Sequence, residues 1–146
     1  MKSIVKSLGS LAVVAMIALP AAAADKDTVD YRINVMKSMG AQAAGLGAVI
    51  QGKVPNDNLG LHARMISIGM KEAQKAFEAK IVGGTAKPDV WDNWKDFSER
   101  LAKLEAAAVV VADLADKGDK AGAQAKVKEM LTCKSCHDVY RVPEQK

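Results

Sequence analysis

The stretch "DKAGAQAKVKEMLTCKSCHDVYR", residues 119–141, decides the fold and the chemistry together. Ala123, Val127 and Met130 fall at helical steps of four and three, and Cys133 and His137 extend the same stripe by three and four more. The spacing predicts one helix running from near Asp119 through the cysteines, with that motif turned toward the core. Both cysteines of the chain, and one of its two histidines, occupy five consecutive positions.

Working outward, three clusters of turn-forming residues cut the chain into four segments: "GKVPNDN" at 52–58, "GGTAKP" at 83–88 and "DKGD" at 116–119. None of the four alternates as a half-buried strand would, and all have helical periods. Segment 26–51 carries Val29, Ile33, Met36, Gly40, Ala43, Gly47 and Ile50, a stripe of unusually small residues expected to face inward. Beside it run Val35, Met39, Leu46 and Val49. Segment 58–81 offers a looser stripe of Leu61, Met65, Ile68, Ala76 and Phe77. The third segment opens at Pro88, suited to a first helical turn, and runs Val90, Trp94, Phe97, Leu101, Leu104, Ala108 and Val111. Four amphipathic helices with short connections pack most simply as an all-α, antiparallel up-down-up-down bundle, with the first and last helices side by side.

Residues 1–24 read as a cleavable signal peptide. Lys2 and Lys6 precede the apolar run "LGSLAVVAMIAL", and Ala22, Ala23 and Ala24 supply a small-residue cleavage site before Asp25. The run is broken by Pro20 and is short for a membrane span. The expected mature domain is 25–146, and the expected location is the periplasm. The net charge of +4 falls by two when Lys2 and Lys6 are removed, and the remaining charges are mixed in sign. That balance argues against a nucleic-acid surface. A disulfide between cysteines three positions apart would close a tiny loop and staple nothing distant, so their use is chemical.

Cys133-x-x-Cys136-His137 has the pattern of covalent c-type haem attachment. Two thiols form thioethers to the vinyl groups, and the adjacent imidazole becomes an axial iron ligand. A thioredoxin-like dithiol would want a βαβ setting, which a helical C-terminal segment does not offer. A structural zinc site needs four ligands, and His62 is the one remaining Cys or His donor. A haem-free dithiol or metal-binding helical module is therefore the rival from another class. A bound porphyrin would also explain a core with only two Phe, two Tyr and two Trp.

A helical chain of this length with "CKSCHDVYR" near its C-terminus resembles the cytochrome c′ family, the class II c-type cytochromes. "VDYRINVMKSMGAQAAGLGAVIQGKVP" at 29–55 and "PDVWDNWKDFSERLAKLEAAA" at 88–108 look like the family's patterns in the first and third helices. The resemblance implies a four-helix bundle with one covalent haem c near one end. It implies Cys133 and Cys136 as the attachment residues, His137 as proximal iron ligand, and the first helix as the source of whatever faces the iron's other side. Met36, four residues after Arg32, stands where the family's low-spin branch has its methionine ligand and its high-spin branch a bulky apolar residue. The "VMKSMGA" context looks more like the low-spin branch. Met39 is the fallback ligand, and His62, just after a polar loop, is the bis-histidine alternative. Arg32 matches the family's arginine for a haem propionate, with a solvated helix face as the plain alternative, and Arg141 matches a basic residue on the proximal side.

The expectation is a one-electron carrier and not an enzyme, serving redox partner proteins as a monomer or homodimer. The alternative is a five-coordinate protein that binds nitric oxide or carbon monoxide.

Overall fold

The computed structural model describes residues 21–143. The predicted signal segment lies outside the described residues up to position 20, and residues 21–24 form the first turn of α1. The elements are α1 (Ala21–Ile50), a 3-10 turn (Asn56–Asn58), α2 (Leu59–Ala76), α3 (Asp89–Asp92), α4 (Trp94–Asp116), α5 (Lys120–Met130) and α6 (Cys133–Tyr140). They build an up-down-up-down four-helix bundle in which α3 leads into α4 and α6 follows α5.

The predicted breaks end helices for a physical reason. Gly52 and Gly118 adopt positive φ, 68° and 80°, where a glycine has no Cβ to clash. Around them Lys53 N–H reaches Ala48 O and Asp119 N–H reaches Leu114 O, both at 2.9 Å, so the last carbonyls of α1 and α4 are satisfied. Asp119 then accepts a 2.9 Å hydrogen bond from Gly122 N–H and caps α5.

The core is one cluster. Val35, Leu46 and Val49 of α1 meet Leu59, Ala63, Ile66, Met70 and Ala73 of α2, and these meet Phe97, Leu101, Ala108 and Val111 of α4. Ala123, Val127 and Met130 of α5 close it from the other side. The largest interfaces are α2 with α4, α1 with α2, and α4 with α5, whereas α1 packs far less against α5 and α6. The first and last helices are thus neighbours in the bundle order without a tight seam between them.

The structure corrects three local expectations. The inward face of α2 is Leu59, Ala63, Ile66, Met70, Ala73 and Phe77, so Leu61 and Ile68 point outward at 58% and 62% exposure. Both faces carry apolar residues at helical spacing, but the inward one also has Gly60, Ala63, Gly69 and Ala73, small enough for α1 and α4 to approach closely. In α1 the fully buried stripe is Val35, Leu46 and Val49, while Met36, Ala43 and Gly47 are half-buried and Gly40 is exposed. The last helix, finally, is not continuous. It stops at Leu131 (φ −72°, ψ 67°) and restarts at Cys133. Ser135 sends both its N–H and its hydroxyl to Thr132 O, at 3.1 and 2.8 Å, which is the hydroxyl competition that favours helix starts over interiors.

Candidate haem site

The restart of the helix sets the direction of the motif. Cys133 and Cys136 are one turn apart on α6, both half-buried and both free thiols, and His137 beside them is half-buried. After the break the inward anchor is Tyr140, which is buried. A cleft of about 290 Å3 opens between α4 and α6, lined by Asp96, Arg100, Leu101, Leu104, Thr132 and both cysteines among others. Burial pushes the Cys136 thiol up, and the Arg100 charge partly offsets that.

Tyr140 ties α6 to α4. Its hydroxyl donates to Asp96 Oδ2, which also accepts from Arg100 Nε at 2.6 Å, and the Arg100 guanidinium lies 5.8 Å from the Tyr140 ring centroid. Burial and the Asp96 carboxylate push the Tyr140 phenol up to about 12. The same hydrogen bonds, Tyr140's first, hold Asp96 below its ordinary value. Asp96 and Arg100 escaped the sequence reading, although their i, i+4 spacing on α4 was a signal of a paired, ordered face.

One loop ties α6 to α1. Lys87 N–H donates to Tyr140 O at 3.0 Å, Val142 N–H to Thr85 O at 2.8 Å, and Ala86 pairs with Arg141 in an isolated antiparallel bridge. On its other side the loop meets α1. Gly83 and Gly84 lie against Val29 and Ile33, and Arg32 Nη2 donates to Ile81 O. Arg32 of α1 and Arg141 beyond α6 therefore flank the same strap of chain. A Cβ at Gly83 would come within 2.7 Å of Val29 Cγ2, which is why small residues are needed there.

Arg32 is 3% exposed. Its guanidinium carbon lies 5.0 Å from the Phe77 ring centroid and 5.2 Å from that of Trp91, and its Nη1 is buried without a hydrogen-bond partner. The solvated alternative for this residue does not hold. A buried, unpaired cationic donor is costly unless something anionic meets it. Burial accordingly lowers the Arg32 pKa.

The remaining histidine and the two methionines separate cleanly. His62 Nδ1–H donates a 2.7 Å hydrogen bond to Gln42 Oε1, and the ring lies against Gly45, where a Cβ would fall 2.8 Å from Cε1. Met39 fills the notch at Gly69, its thioether occupying the space of a missing Cβ. Both belong to the α1 and α2 seam. Met36 is half-buried on the neighbouring face, where a Cβ added at Gly40 would meet nothing within 4 Å. Trp91 is half-buried with Nε1–H bonded to Phe77 O at 2.8 Å, and Trp94, expected in the core, is only partly buried.

Residues 27–141 match the cytochrome C' family. The chain belongs to the cytochrome c′ family. It is 34% identical to a cytochrome c-556 of Agrobacterium tumefaciens (strain B2A) over 121 residues, 78% of this chain and 96% of that one. It is 33% identical to the cytochrome c' of Pararhodospirillum photometricum, across 77% of this chain and 94% of that one. The fold superimposes on the recombinant native cytochrome c prime of Alcaligenes xylosoxidans with a TM-score of 0.73 at 24% identity, covering 82% and 97% of the two chains.

A cytochrome c′ carries covalent haem c, and this chain fits the group on its own observations. It offers two free thiols one turn apart, a half-buried apolar stripe on α1, and an orphaned buried guanidinium suited to a carboxylate. Among the described residues no three Cys, His, Asp or Glu side chains converge, so the zinc alternative lacks a ligand set. No described helix is long and apolar enough to cross a membrane.

Proposed function

We propose that this cytochrome c′ is an exported, periplasmic carrier of one electron, with its haem attached through Cys133 and Cys136 and ligated by His137 and Met36. When bound, the haem supplies a one-electron couple. The chain's part is to hold it still. Thiols at i and i+3 share one face of α6 and are spaced for two thioethers, and His137, adjacent in sequence, is limited in reach to the same ring. Met36 would supply the second ligand, so that little need rearrange when the charge changes. Arg32 would meet a propionate, and Arg141 would stand on the proximal side. The partners are redox proteins reached as a monomer or homodimer.

The observation that carries the reading is the division of labour between two methionines three residues apart. Met39 is spent on the Gly69 notch, whereas Met36 sits one turn from Arg32 on the half-open face beside Gly40. A flexible thioether beside a glycine can reach an iron without crowding. The test is the absorption spectrum of the reduced protein with and without carbon monoxide at neutral pH. An unchanged low-spin spectrum is expected, and prompt complex formation would sink the six-coordinate reading in favour of an open, gas-binding site.

A further inference from the structure

Arg32 is a buried cation whose position is set by three groups, and only one of them is a hydrogen bond. Nη2 donates to Ile81 O. The guanidinium is otherwise held between two aromatic rings, Phe77 from the end of α2 and Trp91 from α3. Those rings are fixed to each other: their centroids are 6.3 Å apart at 36°, and Trp91 Nε1–H donates to Phe77 O at 2.8 Å. Phe77 is anchored in turn by Phe97, at 5.2 Å between centroids. Arg32 cannot move toward solvent without leaving both rings, and Nη1 is buried with no hydrogen-bond partner. Cation–π contact is strongest where water is excluded, as it is here.

We infer that Trp91 is a positioning residue for the haem: with Phe77 it clamps the Arg32 guanidinium so that Nη1 stays presented to a haem propionate, and it thereby raises the reduction potential. The inference rests on the propionate reading of Arg32. A fixed positive charge beside the carboxylate favours the reduced, less positive haem. Trp91 acts only through Arg32 in this scheme, and the ring face matters more than the indole N–H.

The test is a cycle of midpoint potentials on the haem-loaded protein. Arg32→Met is expected to lower the potential. Trp91→Leu should lower it in the same direction by most of that shift, Trp91→Phe should restore nearly the wild-type value, and Trp91→Leu added to Arg32→Met should change little further. Proton exchange from the Arg32 guanidinium in the reduced protein, followed by NMR, should be slow with Trp or Phe at 91 and fast with Leu. If Trp91→Leu fails to fold, Trp91→Met fills a similar space without a ring and takes its place. A Trp91 shift as large in the Arg32→Met background as in the wild type overturns the clamp. So does an unshifted Trp91 variant alongside a shifted Arg32 variant, while an Arg32→Met protein with unchanged potential overturns the propionate reading itself.

Discussion

The two sides of α1 are built by opposite rules. Toward α2, two large side chains each meet a glycine: Met39 enters the notch at Gly69, and the ring of His62 rests on Gly45 with Gln42 fixing its nitrogen. On its other face the same helix shows Met36 and Ala43 half-buried and Gly40 exposed, and α1 packs lightly against α5 and α6. The first side is a finished protein interface, as dense as interiors usually are. The second is left half-open, and on the proposed reading it is where the haem packs, which would account for two apolar stripes on one helix.

The largest effect that tests this contrast comes from removing the attachment chemistry. Cys133→Ala with Cys136→Ala should abolish haem on a denaturing gel stained for peroxidase activity, while the wild type keeps its stain in the band. A double variant that still carries haem through denaturation would remove the covalent account. Next come the methionines. Met36→Ala should convert the spectrum to high-spin and open the protein to carbon monoxide. Met39→Ala should leave the spectrum alone and cost about 2 kcal/mol in stability, the low end for truncating a packed methionine. Exchanged phenotypes would place the ligand on the seam side.

A third pair works by addition. Gly69→Leu overfills the notch that Met39 occupies and should cost about 1–3 kcal/mol in denaturant unfolding with little spectral change. Gly40→Leu projects into open space on the other side and should perturb the absorption bands with a smaller stability loss. Equal unfolding costs for the two would show that α1 has no such asymmetry.

Much of this was legible in the chain. Glycines and a proline marked the turns because positive φ and a fixed φ are local properties, and the Cys133-x-x-Cys136-His137 spacing named its cofactor because thioether attachment tolerates little variation. What escaped was tertiary. Leu61, Met65 and Ile68 are as apolar as Leu59, Ile66 and Met70, and period alone does not say which face two neighbouring helices will choose. The break at Leu131 was hidden because the stripe read smoothly through it. The roles of Met39, His62 and Arg32 depend on residues 20 to 59 positions away, namely Gly69, Gln42, Phe77, Trp91 and Ile81, and local spacing says nothing about those.

The smallest effect concerns the tie between α6 and α4. Tyr140 keeps its proton in the folded state up to about pH 12, against an ordinary value of 10.0, because it is buried and bonded to Asp96. The folded form thus binds that proton more tightly than the unfolded chain does, so the contribution is complete below pH 10 and is lost as pH climbs toward 12. Asp96 works in the opposite direction. Its pKa is lowered from 3.8, first by the Tyr140 hydroxyl and then by Arg100, so its contribution is present above pH 3.8 and fades in more acid solution. Tyr140→Phe removes the titrating group on α6 and one of the two donors to Asp96. Melting temperatures followed by circular dichroism should then fall less steeply between pH 10 and 12 than in the wild type. The acid limb should weaken only in part, since Arg100 still bonds the carboxylate. An alkaline slope identical in the two proteins would show that Tyr140 is not what couples the haem-bearing helix to α4, and that the strap from Thr85 to Lys87 holds α6 alone.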